Sequence, residues 1–264
     1  MSSETLRMPG VFFGHGSPMN TLESNRHTMA WERFGQHVTR PRGILCVSAH
    51  WYIRGTAVTA MAQPRTIHDF GGFPRALFEV QYPAPGDPAL ASRVRNLLAP
   101  TEVLEDTSGW GLDHGAWSVL KHVYPEADVP VVQLAIDGTK PLAEHYELAR
   151  RLVPLRDEGV LVVGSGNVVH NLGMVAWEPG AQPYPWATRF NDAVRSRLLA
   201  NDHAALTDMS ALGEDGAKSI PTPEHYLPLL YVIALQQPGD RVEILTDGIE
   251  LGSISMLSVA IGAM

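Results

Sequence analysis

Short, fully apolar runs alternate along the chain with longer stretches in which apolar residues recur at helical spacing. A run that is apolar at every position is typical of a strand buried on both faces of a sheet. Runs of this kind occupy residues 11–13, 44–47 and 160–163, and the run at 131–136 is apolar except at Gln133. The alternation predicts one α/β domain over residues 1–264, with a mostly parallel central sheet flanked by helices on both faces.

Weaker patterns assign the remaining elements. Asp113 is an expected N-cap for a helix that continues to Tyr124, and Thr222 is an expected cap for a helix with Pro223 at its first position. Residues 208–219 show no period and are expected, with His203, to form a solvated loop. Further strands are expected at 58–61 and 254–261, and further helices at 28–36, 89–98, 142–152 and up to about residue 199.

The composition excludes several classes of protein. With 264 residues and 45% hydrophobic content, the chain can bury a full core and is not disordered. A net charge of −8 without a Lys/Arg cluster argues against nucleic-acid binding. We found neither a secretory signal nor a run long enough to span a bilayer, so a soluble cytoplasmic protein is expected. The only cysteine, Cys46, suits a reducing compartment as a small strand residue.

The positions of the histidines are the strongest chemical signal. Five of the 11 histidines follow buried strands, lie in glycine-rich turns or begin helices: His15, His50, His114, His170 and His225. Ligands bind at the carboxyl ends of the strands in open α/β sheets, which is where such residues gather. A single histidine is more often a hydrogen-bonded structural residue, but five at these positions favour a functional site. The others, including His145 on a presumed solvated helix face, carry no such signal.

Several imidazoles with a nearby carboxylate suit Zn(II) or Fe(II). Two histidines and one carboxylate that leave open positions form the ligand set of non-haem Fe(II) oxygenases. The five histidines are far apart in the sequence, so their spacing lacks the specificity of a local motif such as HExxH. The residues alone therefore predict a metal enzyme without naming its reaction.

Sequence segments along nearly the whole chain resemble one enzyme family. The segments are, in order, GHGSPMN, SAHW, TIHDFGGFP, GLDHGAW, SGNVVHNL, YPWA and TPEHYLPLLY. They are similar to the class III extradiol ring-cleaving dioxygenases, and most of all to the bacterial branch that resembles plant 4,5-DOPA extradiol dioxygenases. The resemblance implies that O₂ is inserted beside the vicinal diol of a catechol, which opens the ring.

The resemblance also implies roles for individual residues. His15 and His50 match the two N-terminal metal ligands of the family. His170 matches a histidine beside the metal that acts as acid/base and, in this branch, is often counted as a ligand. His225 matches the remaining ligand, with its neighbour Glu224 as the alternative. Adjacent residues on a helix diverge by about 100°, so one of these two is expected on the metal and the other behind it.

Two more histidines are implied at the substrate, together with the cofactor and the partners. His114 matches a pocket histidine that binds or deprotonates the substrate, and His68 falls in a segment that resembles the pocket wall. Fe(II) is the metal expected for activity, and Zn(II) is expected in purified protein because it binds such sites more tightly. The partners are a catechol-type small molecule and O₂, and the oligomeric state is open.

Two alternatives use the same histidines. A zinc-dependent hydrolase would generate hydroxide without redox chemistry. A non-catalytic protein could retain the metal and lack turnover. Oxygen uptake with a catechol after anaerobic Fe(II) loading separates the dioxygenase from both, and hydrolysis of an amide or ester with Zn(II) separates the hydrolase from the binding protein.

Overall fold

A twisted central sheet runs through the molecule, and the computed structural model describes it within residues 7–178 and 180–262. In this part of the chain the sheet has eight strands in the order β4-β3-β5-β2-β6-β1-β10-β7. They are β1 (Gly10–Gly14), β2 (Gly43–Ile53), β3 (Thr56–Thr59), β4 (Val103–Asp106), β5 (Val131–Asp137), β6 (Val160–Gly166), β7 (Val242–Thr246) and β10 (Ser258–Ile261). Strands β8 (Ile249–Glu250) and β9 (Ile254–Ser255) form a separate two-stranded sheet.

The centre of the sheet is parallel, as predicted from its apolar runs. Strand β2 pairs in parallel with β5 on one side and with β6 on the other, and β6 pairs in parallel with β1. Antiparallel pairs occur towards the edges, where β10 joins β1 and β7, and β3 joins β5. The adjacent strands β2, β6 and β1 therefore present their carboxyl ends side by side.

Successive residues of the central strands contribute to cores on opposite faces. In β2, Leu45 and Val47 join one core cluster, whereas Ile44 and Cys46 join the other. Full burial raises the pKa of the Cys46 thiol well above its ordinary value, in agreement with its predicted role as a small strand residue. The alternation explains why these runs are apolar at every position except Gln133 of β5, since neither face meets water.

Helices cover both faces of the sheet. Those on the Leu45 face are α3 (Pro88–Leu98), α5 (Leu142–Arg150), α6 (Pro154–Asp157), α7 (Pro185–Leu199), α8 (His203–Leu206) and α10 (Leu227–Ile233), with α9 (Gly213–Ser219) packed on α7. Those on the Ile44 face are α1 (Arg26–His37), α2 (Arg75–Phe78) and α4 (His114–Val123). The predicted single-domain α/β fold is confirmed for the described residues. Among them, no helix is long and apolar enough to cross a membrane.

Several element assignments differ from the sequence prediction. The expected loop at 208–219 contains a 3₁₀ helix, Met209–Leu212, and α9, since Asp208 caps the first of these and Gly216 of α9 packs on Phe190. The expected strand at 254–261 is divided between β9 and β10, which belong to different sheets. Strands β4 and β7 were missed because both lie at edges of the sheet and are only partly apolar.

The last helix before the C-terminal strands begins later than predicted. Helix α10 starts at Leu227, and Glu224 and His225 lie in the turn before it, not in a first helical turn. Thr222 does not cap the helix, because its hydroxyl donates to Glu224 Oε1 at 2.7 Å. The carbonyl of His225 instead accepts from the Asn167 backbone N–H at 2.8 Å, which fastens this turn to the end of β6.

His145 was predicted to be solvated, and this was wrong. Helix α5 packs against α10, so that His145 is fully buried and its Nδ1 lies 3.0 Å from the Tyr231 hydroxyl. Burial lowers its pKa to about 4. The polar neighbours of His145 in the sequence face solvent, but its own side of the helix faces the neighbouring helix.

Candidate active site

Three of the predicted histidines lie at one edge of the sheet. His15 follows β1, His50 is near the end of β2, and His170 follows the turn after β6. Because these strands are neighbours and parallel, their carboxyl ends bring the three side chains together. The turn before α10 adds His225, and the first residue of α4 adds His114.

The imidazoles of His15, His50 and His225 converge on one point. Their ring nitrogens lie within 4.8 Å of one another, and the Nε2 atoms of His15 and His50 are 3.4 Å apart. Two nitrogens bound tetrahedrally to one Zn(II)-sized ion at 2.0–2.1 Å would be about 3.3 Å apart. His225 Nε2 is buried and has no hydrogen-bond partner among the described residues. A metal ion would satisfy this nitrogen, so the three side chains fit one.

In each of these three rings, Nδ1 faces away from the cluster and lies near an oxygen atom that can accept a hydrogen bond. His15 Nδ1 lies 2.9 Å from the Ser165 hydroxyl, which itself donates to the Gly115 carbonyl and can therefore only accept from the ring. His50 Nδ1 is 3.5 Å from Asp69 Oδ2, and His225 Nδ1 is 3.2 Å from Glu224 Oε1. This network assigns the proton to Nδ1 and leaves an Nε2 lone pair for a ligand.

The environment keeps the cluster neutral. Burial, followed by the neighbouring imidazoles, lowers the pKa of His15 and His225 well below the ordinary value. Burial and then the charge of His114 lower the pKa of His50 to about 3. Since only a neutral imidazole has a free lone pair, these shifts suit metal ligation.

Two glycines allow the elements to approach closely enough to form the cluster. A Cβ on Gly115 in α4 would lie 2.4 Å from Ser48 Oγ and 2.7 Å from the His50 ring. A Cβ on Gly166 at the end of β6 would lie 2.2 Å from the His225 carbonyl oxygen. Any larger residue at either position would displace the neighbouring strand or turn.

His114 lies beside the cluster, next to Asp69, a carboxylate that sequence reasoning did not assign to the site. Asp113 caps α4 as predicted, accepting from the Ala116 N–H at 3.1 Å. The His114 ring is centred 3.8 Å from that of His50, and its Nδ1 is 2.9 Å from Asp69 Oδ1. Burial acts to raise the pKa of Asp69, but the contacts with His114 and the charge of His50 outweigh it and hold the pKa below its usual value.

His170 reaches the same pocket in a different way. Its ring stacks on that of His225, with centroids 3.5 Å apart and planes inclined by 8°. The in-plane lone pairs of two stacked rings lie in separate, nearly parallel planes, so the two are not aimed at one point. His170 is absent from the set of mutually close ligand atoms formed by His15, His50 and His225, and it forms a second such set with Glu224 and His225. Burial lowers its pKa to about 4.

His68, which was expected at the substrate, does not line the pocket. Its Nε2 is 2.9 Å from the Val80 carbonyl oxygen, and its ring packs against Trp117 and Phe70. The loop after β3 instead turns the next two residues, Asp69 and Phe70, towards the histidines. The His-Asp pair in the sequence was therefore a valid signal, although the path of the loop decides which member of it faces the pocket.

A pocket of about 220 Å³ opens above the histidines. Aromatic and aliphatic side chains form its walls: Phe70, Phe73, Leu172, Val175, Trp177, Leu251 and Ile254. Two loops supply further wall residues, one described at residues 171–178 and 180–184 and the other at 251–253. Backbone N–H groups of Ala176 and Tyr184 donate to Leu251 and Gly252, each at 2.9 Å, and join the two loops. Sequence reasoning missed the wall residues of these two loops because they lie in aperiodic segments.

Comparisons with known proteins identify the class of enzyme to which this fold and site belong. The family model "Catalytic LigB subunit of aromatic ring-opening dioxygenase" matches residues 15–262. A 4,5-DOPA dioxygenase extradiol from Escherichia coli (strain K12) is 54% identical over 260 residues, 97% of this chain and 95% of that protein. One from Beta vulgaris is 32% identical over 261 residues, 97% of each chain. The chain belongs to the LigB family of aromatic ring-opening dioxygenases.

A solved structure agrees with this assignment. The crystal structure of an uncharacterized protein from Escherichia coli K12 matches with a TM-score of 0.86 and 49% identity, covering 97% of this chain and 100% of that one. The predicted family and the predicted enzyme class, an extradiol ring-opening dioxygenase, are confirmed. The family implies a small aromatic substrate and O₂. Neither the hydrolase nor the non-catalytic alternative is favoured.

Proposed function

We propose that this protein, as one catalytic domain over residues 1–264, opens the ring of a catechol by inserting O₂ beside its vicinal diol. The observation that carries the proposal is the convergence of three neutral imidazoles, one with an unpartnered Nε2, at the floor of an aromatic-lined pocket. The substrate class follows the relatives, whose names specify 4,5-DOPA. The pocket is smaller than the ~300–1,000 Å³ of common ligand sites, which suits a single ring.

His15, His50 and His225 would hold the metal through Nε2. Glu224 would then orient His225 through Nδ1, and this contact supports the histidine over Glu224 as the ligand at this turn. Fe(II) would supply the redox chemistry with O₂ and would acidify the bound diol, as metals do for bound water. Zn(II) would bind the same nitrogens without this redox chemistry, and we expect it in protein purified without added iron.

His114 and His170 would handle protons. His114 stands above His50, and its Nδ1 lies 2.9 Å from Asp69 Oδ1 but has no hydrogen-bond partner among the described residues. The ring would accept a proton from a catechol hydroxyl. His170 lines the pocket on the other side, next to His225, where it can give or take a proton during ring cleavage. Its stacked geometry favours this acid/base role over that of a fourth ligand. His68 would hold Phe70 in place from behind and would not contact the substrate.

The walls would orient the ring and exclude water. Phe70 packs edge-on against His114, with centroids 5.3 Å apart, and a catechol ring inserted beside it would meet apolar surface on both sides. Exclusion of water protects the reactive species and strengthens the polar contacts at the floor.

The test combines metal analysis with a catechol panel. Protein stripped by chelation and loaded anaerobically with Fe(II) should consume O₂ and give the absorbance of a ring-opened semialdehyde, whereas the Zn(II) form should not. Replacement of the exposed His37 by Ala is the matched control and should change nothing. Hydrolysis of esters or amides by the Zn(II) form, without O₂ uptake by the Fe(II) form, would contradict the proposal in favour of a hydrolase.

A further inference from the structure

One polar side chain interrupts the apolar run of strand β5. Gln133 is fully buried inside the sheet, where an apolar side chain of the same size would need no hydrogen bond. Its amide contacts Asp113 at both ends: Nε2 donates to Asp113 Oδ2, and Oε1 accepts from the Asp113 N–H at 3.3 Å. The polar residue of β5 is therefore matched to the residue that precedes helix α4.

Asp113 is buried more completely than a helix cap requires. A cap needs only the bond from the Ala116 N–H, at 3.1 Å. The fully buried carboxylate also accepts from the Ser48 hydroxyl at 2.7 Å, the Trp110 indole N–H at 3.3 Å and the Gln133 amide. Aspartate is rarely buried completely, because removal of a carboxylate from water is costly. These additional bonds indicate a role beyond capping.

The network joins the two elements that carry His50 and His114. Ser48 lies on β2 two residues before His50, and its Oγ accepts from the His50 N–H at 3.3 Å. Asp113 directly precedes His114, the first residue of α4. Helix and strand come closest beside this carboxylate, since a Cβ on Gly115 would lie 3.3 Å from Asp113 Oδ1 and 2.7 Å from the His50 ring. The network therefore holds α4 against β2 from behind the pocket.

We propose that Asp113 is a positioning residue of the active site. Its bonds to Ser48 and Gln133 fix α4 on the sheet. They thereby set the distance between the rings of His50 and His114, whose centroids are 3.8 Å apart. This inference rests on the proposed function, in which His50 binds the metal and His114 accepts a proton from the diol. Such a transfer needs a separation of about 2.6–3.2 Å between the heavy atoms, so a small retreat of α4 would weaken it and leave the metal ligands in place.

The test compares catechol binding with metal binding in the same variants. Every neighbour of the carboxylate is a donor, so the NH₂ group of Asp113→Asn would face a donor in either orientation, while Asn remains a good helix cap. We expect catechol to bind the Zn(II)-loaded variant about tenfold more weakly, the upper worth of one hydrogen bond. Zn(II) affinity should change by no more than about twofold, the scatter between independent sites. Calorimetry measures both constants.

An exchange of the two partners tests for rescue. Gln133→Glu alone places two carboxylates against each other and should also weaken catechol binding. The double variant Asp113→Asn/Gln133→Glu restores one carboxylate acceptor and one amide donor, with the groups exchanged. We expect it to regain most of the lost catechol affinity, so that the two changes are strongly non-additive. Ser48→Ala, which removes one donor and keeps every charge, should weaken catechol binding to a smaller extent.

A variant that only lowers stability is the matched control. Val94→Ala removes buried side-chain volume from α3, which packs on β3 and β4 at one edge of the sheet. It should lower the melting temperature by at least as much as Asp113→Asn does and should leave both binding constants unchanged. Thermal melts identify the variants that are folded at the assay temperature.

Several results would overturn the inference. Unchanged catechol affinity in folded Asp113→Asn and Ser48→Ala would show that Asp113 is only a cap. Zn(II) affinity that falls in parallel with catechol affinity would assign the network to the support of His50. Additive losses in the double variant would show that Asp113 and Gln133 do not act as a pair.

Oxygen uptake separates this inference from the proposed function. If the Fe(II)-loaded wild-type protein binds catechol without consuming O₂, ring cleavage fails, and the binding constants of the variants still decide the role of Asp113. If the wild-type protein binds no catechol, both are overturned.

Discussion

The floor and the walls of the active site are made from different parts of the fold. The floor consists of histidines at or just after the ends of buried parallel strands, with His225 from the turn before α10 and His114 from the start of α4. Partners such as Ser165 and the close approach of Gly115 hold it in place. The walls consist of loop residues such as Trp177, which is largely exposed, and Leu251. A rigid floor suits chemistry that needs fixed distances, whereas loops can change their contacts without disturbing those distances. The two regions should therefore respond differently to substitution.

The largest effect is expected at the floor. His50→Ala, or His15→Ala, should abolish tight metal binding and with it O₂ uptake, because each removes an Nε2 that no neighbour replaces. Metal content by elemental analysis and O₂ uptake check this prediction. If both variants retained stoichiometric metal, the ligand assignment would be wrong, and the contrast between floor and walls would fail with it.

The next largest effect is expected at His170 and His114, where it distinguishes a role in proton transfer from metal ligation. His170→Gln should keep metal and catechol binding while kcat falls by roughly 10²–10⁴-fold, the usual worth of a positioned acid or base. His114→Gln should act chiefly on catechol binding. Thermal melts beside steady-state kinetics distinguish these effects from misfolding.

For His170, metal affinity that falls together with activity would make it a fourth ligand. For His114, a lower melting temperature with normal kinetics would assign it to helix packing. Unchanged kcat and KM at both positions, with Fe(II) loading confirmed, would exclude ring cleavage at this site as described.

A smaller effect tests how the floor is supported. Gly115→Ala should weaken metal binding by roughly 10–100-fold, the range seen when a residue that orients a ligand is lost, because its Cβ would press on Ser48 and the His50 ring. Gly71→Ala is the matched control, since a Cβ there would meet no atom within 4 Å. Metal titrations of both variants check the prediction, and equal affinities would show that α4 can withdraw without moving His50.

The smallest effect is expected at the walls. Trp177→Ala should raise KM for a catechol by about two- to tenfold, the worth of one aromatic contact, while kcat and metal content stay the same. Its free energy of unfolding should change by no more than about 0.5 kcal/mol, because the side chain is largely exposed. A loss of metal in this variant would contradict the independence of walls and floor.

The division between the histidine floor and the loop walls also explains which residues the sequence could predict. The apolar runs identified the central strands, and the polar residues directly after them identified the histidines, because chain connectivity alone places a residue at the end of its strand. His68 and Asp69 were harder, since the path of a loop decides which of two neighbours faces inward. His145 was misjudged because its burial depends on a helix more than 80 residues away in the sequence. Contacts of that kind leave no local pattern.

The hydrogen bonds between the two wall loops have a consequence for how specificity can evolve. The backbone N–H groups of Ala176 and Tyr184 donate to the carbonyls of Leu251 and Gly252, so the path of each loop supports that of the other. We expect a new preference acquired by recombination, or by grafting in the laboratory, to require transfer of both segments together, although about 70 residues separate them in the sequence. We expect a chimera that carries both loops of a relative to inherit the preference of the donor, and a chimera that carries only one to lose the pocket.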